Sequence, residues 1–503
     1  MPDFTAVGTV AYLYFKWQTF SVLVDHCALN QELPPGPICG LSARDLGAAL
    51  ARGELAPQAV LDSFLSRASA VQERINPFTF ILADYAHERA DESARRIRSG
   101  EARPLEGIPF AVKELTAHEG QPHTLGSVFL RDNIATSSDP TVTALLEAGA
   151  IPFARTNTPE FGCATVTDNL LFGETLNPWH RSFSTAGSSG GAAAALATFS
   201  TPLAQGTDSA GSLRMPSAAC GIVGMKPSHG VVPVAAPDYL ETVGHNGPMA
   251  RDVHDLELMF RVIARTDPTQ LAGRAPLDPD PDRQLSGLKV ALICSIPGLQ
   301  TDHDVESNLR RSAKLVSDAG AQVVEMEFPW TWEQIFAAVK LNFGAVYMPL
   351  ARRLRDVGAE LSDLTHGFIA DVEPVTRDYG FTVDARRQSA ELHRVLGSIF
   401  SEFDLILMPT LQMAAPVAGD HFIDHGPLVN GVESADRWIV AYTVPFNLTS
   451  SCPAITLPNG LSRDGLPTAA QLIARPYQDW DLIRWAAAVE TMHNSIDQSV
   501  LHI

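Results

Sequence analysis

STAGSSGGAAAALATFSTPLAQGTDSAGSLRMPSAACGIVGMKPSHG, residues 184–230, contains two clusters of glycines and small hydroxyl-bearing side chains. The first cluster, residues 187–191, reads GSSGG, and the second, residues 207–212, reads TDSAGS. Glycine lets the main chain adopt conformations that other residues avoid and lets it approach a ligand closely. We therefore expect both clusters to be loops that present backbone and hydroxyl groups, and not segments that fill the core.

The sequence around each cluster predicts where its serines lie. An alanine-rich run at residues 192–197 favours a helix, which places Ser188 and Ser189 at the helix N-terminus. The free N–H groups and the positive dipole end found there suit an oxyanion. Residues 203–206 are expected to form a short buried strand that ends in a turn, so Ser212 follows on a loop whose N–H groups can converge.

A lysine lies upstream of both clusters, in the segment GIPFAVKE at residues 107–114. The apolar run at 108–112 predicts a buried strand with Lys113 at its end. A lysine in such a place usually extends to solvent or pairs with an acid. If it is buried, its pKa falls and the neutral amine can serve as a base. A serine hydroxyl needs such a base, and donors for the developing oxyanion, before it can attack an amide.

At this point the sequence resembles the amidase signature family. Four pieces agree with the family pattern in order and spacing: residues 107–114, 186–191, 206–216 and 220–227. The resemblance extends from about Leu41 to the C-terminal helix. It implies an α/β protein with the amidase signature fold, in which a central mixed β-sheet is covered by helices on both faces.

The resemblance also implies a domain organisation. Residues 41–503 are expected to form a single amidase signature domain, with the core motif at 104–230 and a variable, mainly helical, substrate-facing region at about 330–440. Residues 1–40 precede it as an extension of uncertain order. Residues 7–24 are apolar and aromatic, but they have no basic leader and no cleavage site. We interpret them as neither a signal peptide nor a membrane-spanning helix.

Roles for individual residues come from the matching motif positions. The resemblance implies that Ser212 is the nucleophile and Lys113 the base, with Ser188 between them after a cis peptide bond. Backbone N–H groups would form the oxyanion hole, at Ser209, Ala210, Gly211 and Ser212. Three more residues would support the site, namely Ser189, Asp208 and Arg214. No metal and no cofactor is expected.

Three motif positions depart from the family. Ala210 and Ala186 stand where glycine is usual, and Glu114 stands where aspartate is usual. An alanine at position 210 would strain the loop if its φ angle were positive, although its N–H would still donate. Because the three residues of the expected relay are present, we predict an active enzyme.

Two other motif interpretations fail on context. Residues 187–191 also satisfy G-x-S-x-G, the nucleophile elbow of α/β-hydrolases, with Ser189 as nucleophile. That elbow needs a strand directly before it, and residues 181–185 are poor strand formers. His118, Glu119 and His123 are spaced one residue too widely for the zinc-protease helix motif, and Pro122 interrupts them.

Composition narrows the classes of partner. Among 503 residues, 57 acidic and 37 basic side chains give a net charge of −20, which disfavours nucleic acid and anionic membranes as partners. The six cysteines are scattered without a Cys-x-x-Cys pair, as expected for reduced thiols in a cytoplasmic protein. The predicted partner is a small-molecule amide, and a homodimer is left open.

Strands and helices alternate along the chain, as in α/β proteins. Helices are predicted at residues 42–50, 57–70, 83–99, 141–148, 252–264, 304–319 and 479–492, with a mainly helical stretch at 330–402. Strands are predicted at residues 78–82, 108–112, 151–154, 203–206, 288–295, 322–328 and 403–410. A hairpin is predicted to turn at 464–467.

The predicted function is that of an amidase. It would hydrolyse the C–N bond of a small, apolar or aryl carboxamide through a serine acyl-enzyme and release a carboxylic acid and ammonia or an amine. Alternatives are an ester or carbamate hydrolase that uses the same route, the glutamine-hydrolysing subunit of an amidotransferase, and a non-catalytic binding protein. The pocket walls are expected from residues 156–172, 239–246, 330–370 and 408–444, which carry no readable specificity code.

Overall fold

The computed structural model describes most of the chain. The described residues are 36–235, 242–267, 270, 273–378 and 380–493. The predicted extension at residues 1–40 therefore lies almost entirely outside the described residues. Within them, two β-sheets and thirteen α-helices are present.

Eleven strands form one large mixed sheet, and two short strands form a separate hairpin. The strands are β1 (Phe78–Ile81), β2 (Pro109–Lys113), β3 (Ile151–Thr156), β4 (Leu203–Asp208), β5 (Val223–Lys226), β6 (His245–Ala250), β7 (Lys289–Leu292), β8 (Gln322–Glu325), β9 (Leu405–Pro409), β10 (Leu428–Val429), β11 (Val432–Glu433), β12 (Ala454–Leu461) and β13 (Pro467–Ala474). The order in the large sheet is β1-β3-β2-β4-β6-β5-β12-β13-β9-β7-β8. Parallel and antiparallel pairs both occur, as in β2 with β4 and β12 with β13.

Helices flank this sheet, so the predicted fold class is confirmed. They are α1 (Ala43–Ala51), α2 (Pro57–Ile75), α3 (Ala83–Ser99), α4 (Pro140–Glu147), α5 (Gly190–Ala197), α6 (Arg214–Cys220), α7 (Val253–Ile263), α8 (His303–Asp318), α9 (Trp332–Asp356), α10 (Asp363–Val372), α11 (Phe381–Glu402), α12 (Pro445–Leu448) and α13 (Asp479–Met492). The predicted helices and strands all appear within a few residues of their expected bounds, except at the C-terminal end of α2, which runs on to Ile75.

Two parallel strands near the middle of the sheet bring distant parts of the core motif together. In β2 and β4, Ala111 pairs with Ala204 and Val112 with Gln205. All side chains of β2 are buried, and β4 is buried at all but one position. Because parallel strands end at the same edge of a sheet, Lys113 and the Thr207–Asp208 end of β4 emerge side by side.

Three elements close to the site are not predictable from local pattern. They are β5, β6 and α6. β6 reads HNGPMA, a poor strand sequence, yet it pairs with β4 on one side and β5 on the other, and all six of its residues are buried. Pairing on both sides and burial override the weak intrinsic preference of this segment.

The mainly helical region is shorter than predicted. Helices α9, α10 and α11 account for residues 332–402, but the helical character does not continue to about residue 440. After β9, the chain to Val444 is irregular apart from the β10–β11 hairpin. Apolar residues here pack individually against neighbouring elements and so lack the helical period that a sequence pattern would reveal.

The tight fit of α5 against the sheet generates a stability prediction. A Cβ atom added at Gly191 would lie 2.4 Å from the Asn157 nitrogen and 2.5 Å from the Pro77 oxygen, both of them backbone atoms that cannot easily move aside. We expect Gly191→Ala to lower the free energy of unfolding by about 3 kcal/mol or more, the upper range for overpacking. Urea unfolding measures the change.

Gly397 provides the matched control. It lies exposed within α11, and no atom lies within 4 Å of an added Cβ. Gly397→Ala should stabilise the protein by about 0.5–1 kcal/mol because alanine is the better helix former. Equal effects of the two substitutions would contradict the packing argument.

Candidate active site

The amine of Lys113, at the end of β2, is surrounded by side-chain hydroxyl groups. Its Nζ atom is 2.8 Å from each of three oxygens, Ser188 Oγ, Ser189 Oγ and Thr207 Oγ1. The Lys113 side chain has no exposed surface. Burial lowers the pKa of Lys113 well below its ordinary value, opposed by the nearby charge of Asp208. These conditions favour the neutral amine.

The hydrogen-bond directions around this amine can be partly assigned. Ser189 Oγ donates to the Thr207 carbonyl oxygen at 3.2 Å, so its oxygen must accept from Lys113. A neutral amine has two hydrogens and one lone pair, so with three hydroxyl neighbours it accepts from one of the remaining two. In the neutral state, Ser188 or Thr207 would therefore donate to Nζ. The arrangement can withdraw a proton from Ser188.

Ser188 and Ser212 face the same cleft and are joined through their neighbouring backbone. The Gly187–Ser188 peptide bond is cis, as the sequence resemblance implies. The N–H of Ser189 donates to the Ser212 carbonyl oxygen at 3.3 Å. Among the described residues, no hydrogen bond links the Ser188 and Ser212 hydroxyls. Serine hydroxyls reorient readily, and catalytic hydrogen bonds are often long before substrate binds.

The loop that carries Ser212 is organised by Asp208. Its carboxylate accepts from the N–H groups of Gly211 at 2.7 Å and Leu213 at 3.2 Å. It also forms a fully buried ion pair with Arg214, with the Nε and Oδ2 atoms 3.0 Å apart. Burial raises the pKa of Asp208, but Arg214 and the amide of Asn447 outweigh this effect and hold the pKa below its ordinary range.

Arg214 extends this network into the C-terminal part of the chain. Its guanidinium donates to the Thr443 carbonyl at 3.0 Å, to Gln471 Oε1 at 3.0 Å and to Asn447 Oδ1 at 2.7 Å. Asn447 also donates to Asp208 Oδ1 at 2.8 Å. The supporting residues Asp208 and Arg214 thus lie together, and the residues that complete their network come from more than 200 positions away.

The backbone N–H groups after Asp208 differ in availability. The Gly211 N–H was expected to be free for the oxyanion hole, but it donates to Asp208 Oδ1. In the described part of the chain, the N–H groups of Ser209, Ala210 and Ser212 meet no acceptor. The Thr443 hydroxyl donates to the Ala210 carbonyl oxygen.

The conformational strain expected at Ala210 does not occur. Its φ angle is not positive, whereas Gly211 has φ 126° and Ala186 has φ 55°. An added Cβ at Gly211 would lie 2.2 Å from Thr443 Oγ1, so this position requires glycine for two reasons. The departure from family glycine that carries strain is therefore Ala186, which is fully buried.

Glu114, next to the lysine, is held by a second buried ion pair. Its carboxylate lies 2.9 Å from Arg155 Nε, and both side chains are inaccessible to solvent. The hydroxyl and N–H of Thr124 donate to the other carboxylate oxygen at 2.9 and 2.8 Å. Arg155, on β3, is thus a structural residue of the site for which the sequence pattern gives no signal.

The serines open onto a cleft with about 850 Å³ of space, partly continuous with solvent. Ser188, Ser212 and Thr207 are among the residues that line it. Five aromatic side chains also line the cleft and are called the aromatic wall below: Phe343, Tyr347, Phe368, Phe422 and Trp438. The rings of Phe368 and Trp438 stack with centroids 5.2 Å apart, and Tyr347 meets Phe368 edge-on at 5.2 Å.

A few charged side chains border this cleft. Asp371 pairs with Arg437 and also accepts from Trp438 Nε1 at 2.9 Å. His421 lies 3.0 Å from Asp168, and this hydrogen bond raises the pKa of the imidazole. Each of these charged side chains is therefore paired with another one.

Three of the four predicted wall segments contribute to the cleft. Residues 162–166, 343–368 and 421–440 supply lining side chains, and Asp371 lies one residue beyond the predicted range 330–370. In the segment 239–246, residues 239–241 lie outside the described residues, and His245 and Asn246 border a separate, smaller cavity. The sequence analysis did not single out three features of the site. Thr207 contacts the Lys113 amine, Asn447 bonds to Asp208 and Arg214, and the aromatic side chains line the cleft.

The nucleophile-elbow interpretation is also inconsistent with the structure. Ser189 is fully buried and does not line the cleft, so it cannot be the exposed serine of a nucleophile elbow. Among the described residues, no cluster of three His, Cys, Asp or Glu side chains has the geometry of a metal site. None of the helices in the described ranges has the length and apolar character that a bilayer crossing requires.

Several known proteins are similar to this chain in sequence and in fold. The amidase family model matches residues 59–483. The acylamidase of Rhodococcus erythropolis is 32% identical over 477 residues, which cover 91% of this chain and 96% of that protein. A glutamyl-tRNA(Gln) amidotransferase subunit of Renibacterium salmoninarum is 31% identical over 511 residues, which cover 90% of this chain and 94% of that protein.

A bacterial aryl acylamidase of the amidase signature family has a solved structure that superposes with a TM-score of 0.84 at 25% identity, over 93% of this chain and 99% of that one. The fold and the matching sequences together define an enzyme that hydrolyses carbon–nitrogen bonds of amides other than peptide bonds. The chain belongs to the amidase family, whose members are the amidase signature enzymes.

The Asp208–Arg214 pair generates a second stability prediction. Arg214→Met should leave the Asp208 carboxylate buried without its cation and lower the free energy of unfolding by about 3–5 kcal/mol. Urea unfolding near neutral pH checks this. Lys314→Ala, which breaks an exposed pair with Asp318, should change stability little because solvent screens it. An Arg214→Met protein as stable as the wild type would contradict the assigned role of the pair.

Proposed function

We propose that this amidase cleaves its substrate through Ser212, with Lys113 as the general base and Ser188 as the proton carrier between them. The observation that carries the proposal is the buried Lys113 amine, whose Nζ lies 2.8 Å from Ser188 Oγ beside the cleft that Ser212 lines. A buried amine with a lowered pKa can accept a proton near neutral pH, which an exposed lysine cannot.

The proposed reaction has two stages that use the same relay. Ser212 Oγ attacks the amide carbon as its proton moves to Ser188, while the Ser188 proton moves to Lys113 Nζ. The relay then returns a proton to the leaving nitrogen, the C–N bond breaks, and an acyl ester remains on Ser212. Water attacks this ester by the same relay, which releases the carboxylic acid and restores the serine hydroxyl.

The oxyanion would be held by backbone donors. The N–H groups of Ser209, Ala210 and Ser212 meet no acceptor among the described residues, and they belong to the loop that Asp208 and Arg214 hold in place. Donors fixed before the reaction stabilise the developing charge without reorganising. Gly211 would contribute through its backbone conformation and not through its N–H.

We infer a small apolar or aryl carboxamide as the substrate. Five aromatic side chains line the same cleft as Ser188 and Ser212, and the charged side chains of Asp371 and Arg437 pair with each other. Aromatic walls favour ring-bearing or apolar ligands. The similarity to an acylamidase and to an aryl acylamidase supports this class.

Two alternatives use the same chemistry. An ester or carbamate would form the same acyl-enzyme. Glutamine hydrolysis, in the manner of the similar amidotransferase subunits, would require partners for the charged groups of glutamine and an acceptor for ammonia. The mutual pairing of Asp371 and Arg437 favours an uncharged substrate. Activity on a panel of anilides, aliphatic amides, esters, carbamates and glutamine separates these possibilities.

We also propose that residues 41–503 act as one cytoplasmic domain. One sheet collects strands from Phe78 to Ala474, and the cysteines at 39, 163, 220, 294 and 452 are free thiols. Whether two copies associate can be measured by sedimentation.

Replacement of the relay residues tests the mechanism. Ser212→Ala should lower kcat by about ten thousandfold or more, because no other group can form the acyl-enzyme. Lys113→Ala should lose nearly as much, Ser188→Ala somewhat less, and the losses should not add. Ser401→Ala, on the exposed face of α11, serves as the control. Steady-state kinetics on an anilide gives the values, and additive losses would contradict a shared relay.

A serine-directed reagent locates the nucleophile independently of substrate identity. A sulfonyl fluoride should form one adduct: Ser212 Oγ displaces fluoride from sulfur, and its proton passes to the relay. Peptide mass spectrometry identifies the modified residue. An adduct on Ser189, or none on Ser212, would rule out the assignment.

The pH dependence of the wild-type enzyme follows from Lys113. Burial lowers its pKa in the folded enzyme, and only the neutral amine can accept a proton, so kcat/KM should fall as the pH decreases through this lowered pKa. The residual activity of Lys113→Ala should lack this limb. A pH profile that is unchanged in the variant would assign the limb to another group.

A further inference from the structure

We propose that Glu160 is a positioning residue that fixes the aromatic wall relative to Ser188 and Ser212 and thereby sets the preference for aryl substrates. The inference rests on the proposed function, since it concerns the selectivity of that site. Glu160 does not line the cleft, and the proposed mechanism makes no use of it.

The Glu160 carboxylate is a buried junction between three parts of the chain. The residue is 2% exposed. Its Oε1 accepts from Ser127 Oγ at 2.8 Å. Its Oε2 accepts from the N–H of Ser362 at 2.9 Å, the Ser362 hydroxyl at 3.1 Å and the Thr365 hydroxyl at 2.7 Å. One carboxylate thus joins residues that lie more than 200 positions apart.

Two partners of the Glu160 carboxylate, Ser362 and Thr365, lie at the start of α10, a helix that lines the cleft. Ser362 is the N-cap of α10, and Thr365 is in its first turn. An anion is stabilised at a helix N-terminus by the dipole and by the free N–H groups. Four residues of the same helix line the cleft: Leu364, Gly367, Phe368 and Asp371. Phe368 stacks on Trp438, so the position of α10 determines the position of the aromatic pair.

The segment that follows Glu160 lies next to Ser188. Gly162, two residues after Glu160, packs so closely that an added Cβ would lie 2.7 Å from Leu115 Cδ1 and 3.5 Å from Ser188 Oγ. The chain between Glu160 and Gly162 is short and hydrogen bonded, with the Phe161 N–H donating to Leu125 O at 2.8 Å. A shift of the carboxylate therefore changes the distance between the wall and the serines.

The hydrogen bonds of Glu160 favour a role in fixing the position of α10 over a role in filling space in the core. No Lys, Arg or His pairs with Glu160 among the described residues, although burial of a carboxylate is costly without partners. An apolar side chain there would leave the Ser362 N–H and three hydroxyl groups without an acceptor, so the carboxylate is required by its surroundings. A carboxylate with several directional acceptor sites holds α10 in one position, which apolar packing alone does less well.

Two sulfonyl fluorides that differ only in a phenyl ring test the inference. Phenylmethanesulfonyl fluoride can reach the aromatic wall, whereas methanesulfonyl fluoride cannot, and both should modify Ser212. The rate of adduct formation gives kinact and KI for each reagent. In Glu160→Gln, the selectivity for the phenyl reagent should fall about tenfold, the worth of one charge-assisted hydrogen bond, through a higher KI for that reagent. The kinact of the methyl reagent should stay within about twofold.

Variants of Thr365 test the same contact from the other side. Thr365→Val keeps the shape of the side chain but removes its hydroxyl bond to Glu160, and it should lower phenyl selectivity in the same way. Thr365→Ser retains the hydroxyl and should restore most of it. Unchanged selectivity in both Glu160→Gln and Thr365→Val, or an equal loss for both reagents, would overturn the inference. If the wild-type enzyme forms no adduct on Ser212, the proposed function itself fails, and this inference with it.

Discussion

The site depends on one physical constraint, the exclusion of water from the Lys113 amine. A lysine at the end of a strand would ordinarily reach solvent and stay protonated. Here β2 is flanked by β3 and β4, all five of its side chains are buried, and the Lys113 amine meets only hydroxyl groups at 2.8 Å. Burial lowers the Lys113 pKa, and hydroxyls satisfy the amine without adding a charge that would reverse the shift.

The nearby Asp208 would weaken this effect if it stood alone. Its negative charge raises the pKa of Lys113 and so favours protonation. The buried ion pair places the Arg214 cation against that carboxylate, while the same carboxylate fixes the loop of Ser212 through the Gly211 and Leu213 N–H groups. One ion pair therefore serves two needs: it shapes the loop and limits the electrostatic influence of the aspartate on the base. The cost of burying it is offset by hydrogen bonds that leave few of its polar atoms unsatisfied.

The cleft combines a scaffold and a wall with different origins. The serines and the lysine lie on β2 and on the loops next to α5 and β4, within the core motif, and Arg214 at the start of α6 connects them to the C-terminal part of the chain. The wall comes mainly from α9, α10 and the irregular chain after β9. An acylamidase and an amidotransferase subunit both match this chain over about nine-tenths of its length, so one fold serves more than one activity. The contact that links the two parts here is the carboxylate of Glu160.

The sequence by itself determined the family and the alternation of strands and helices, and it pointed to the residues that we propose carry the chemistry, because each leaves a local pattern. Apolar runs indicate β2 and β4, and the small-residue clusters indicate the loops of Ser188 and Ser212. Tertiary structure alone decided the strand character of β6, whose residues disfavour a strand until neighbours pair with it. It also decided that Gly211 binds Asp208, that Thr207 contacts Lys113, and that aromatic rings from α9, α10 and residue 438 meet in one wall. Contacts between residues that are far apart in the chain depend on packing, and packing leaves no periodic or local signal in a single sequence.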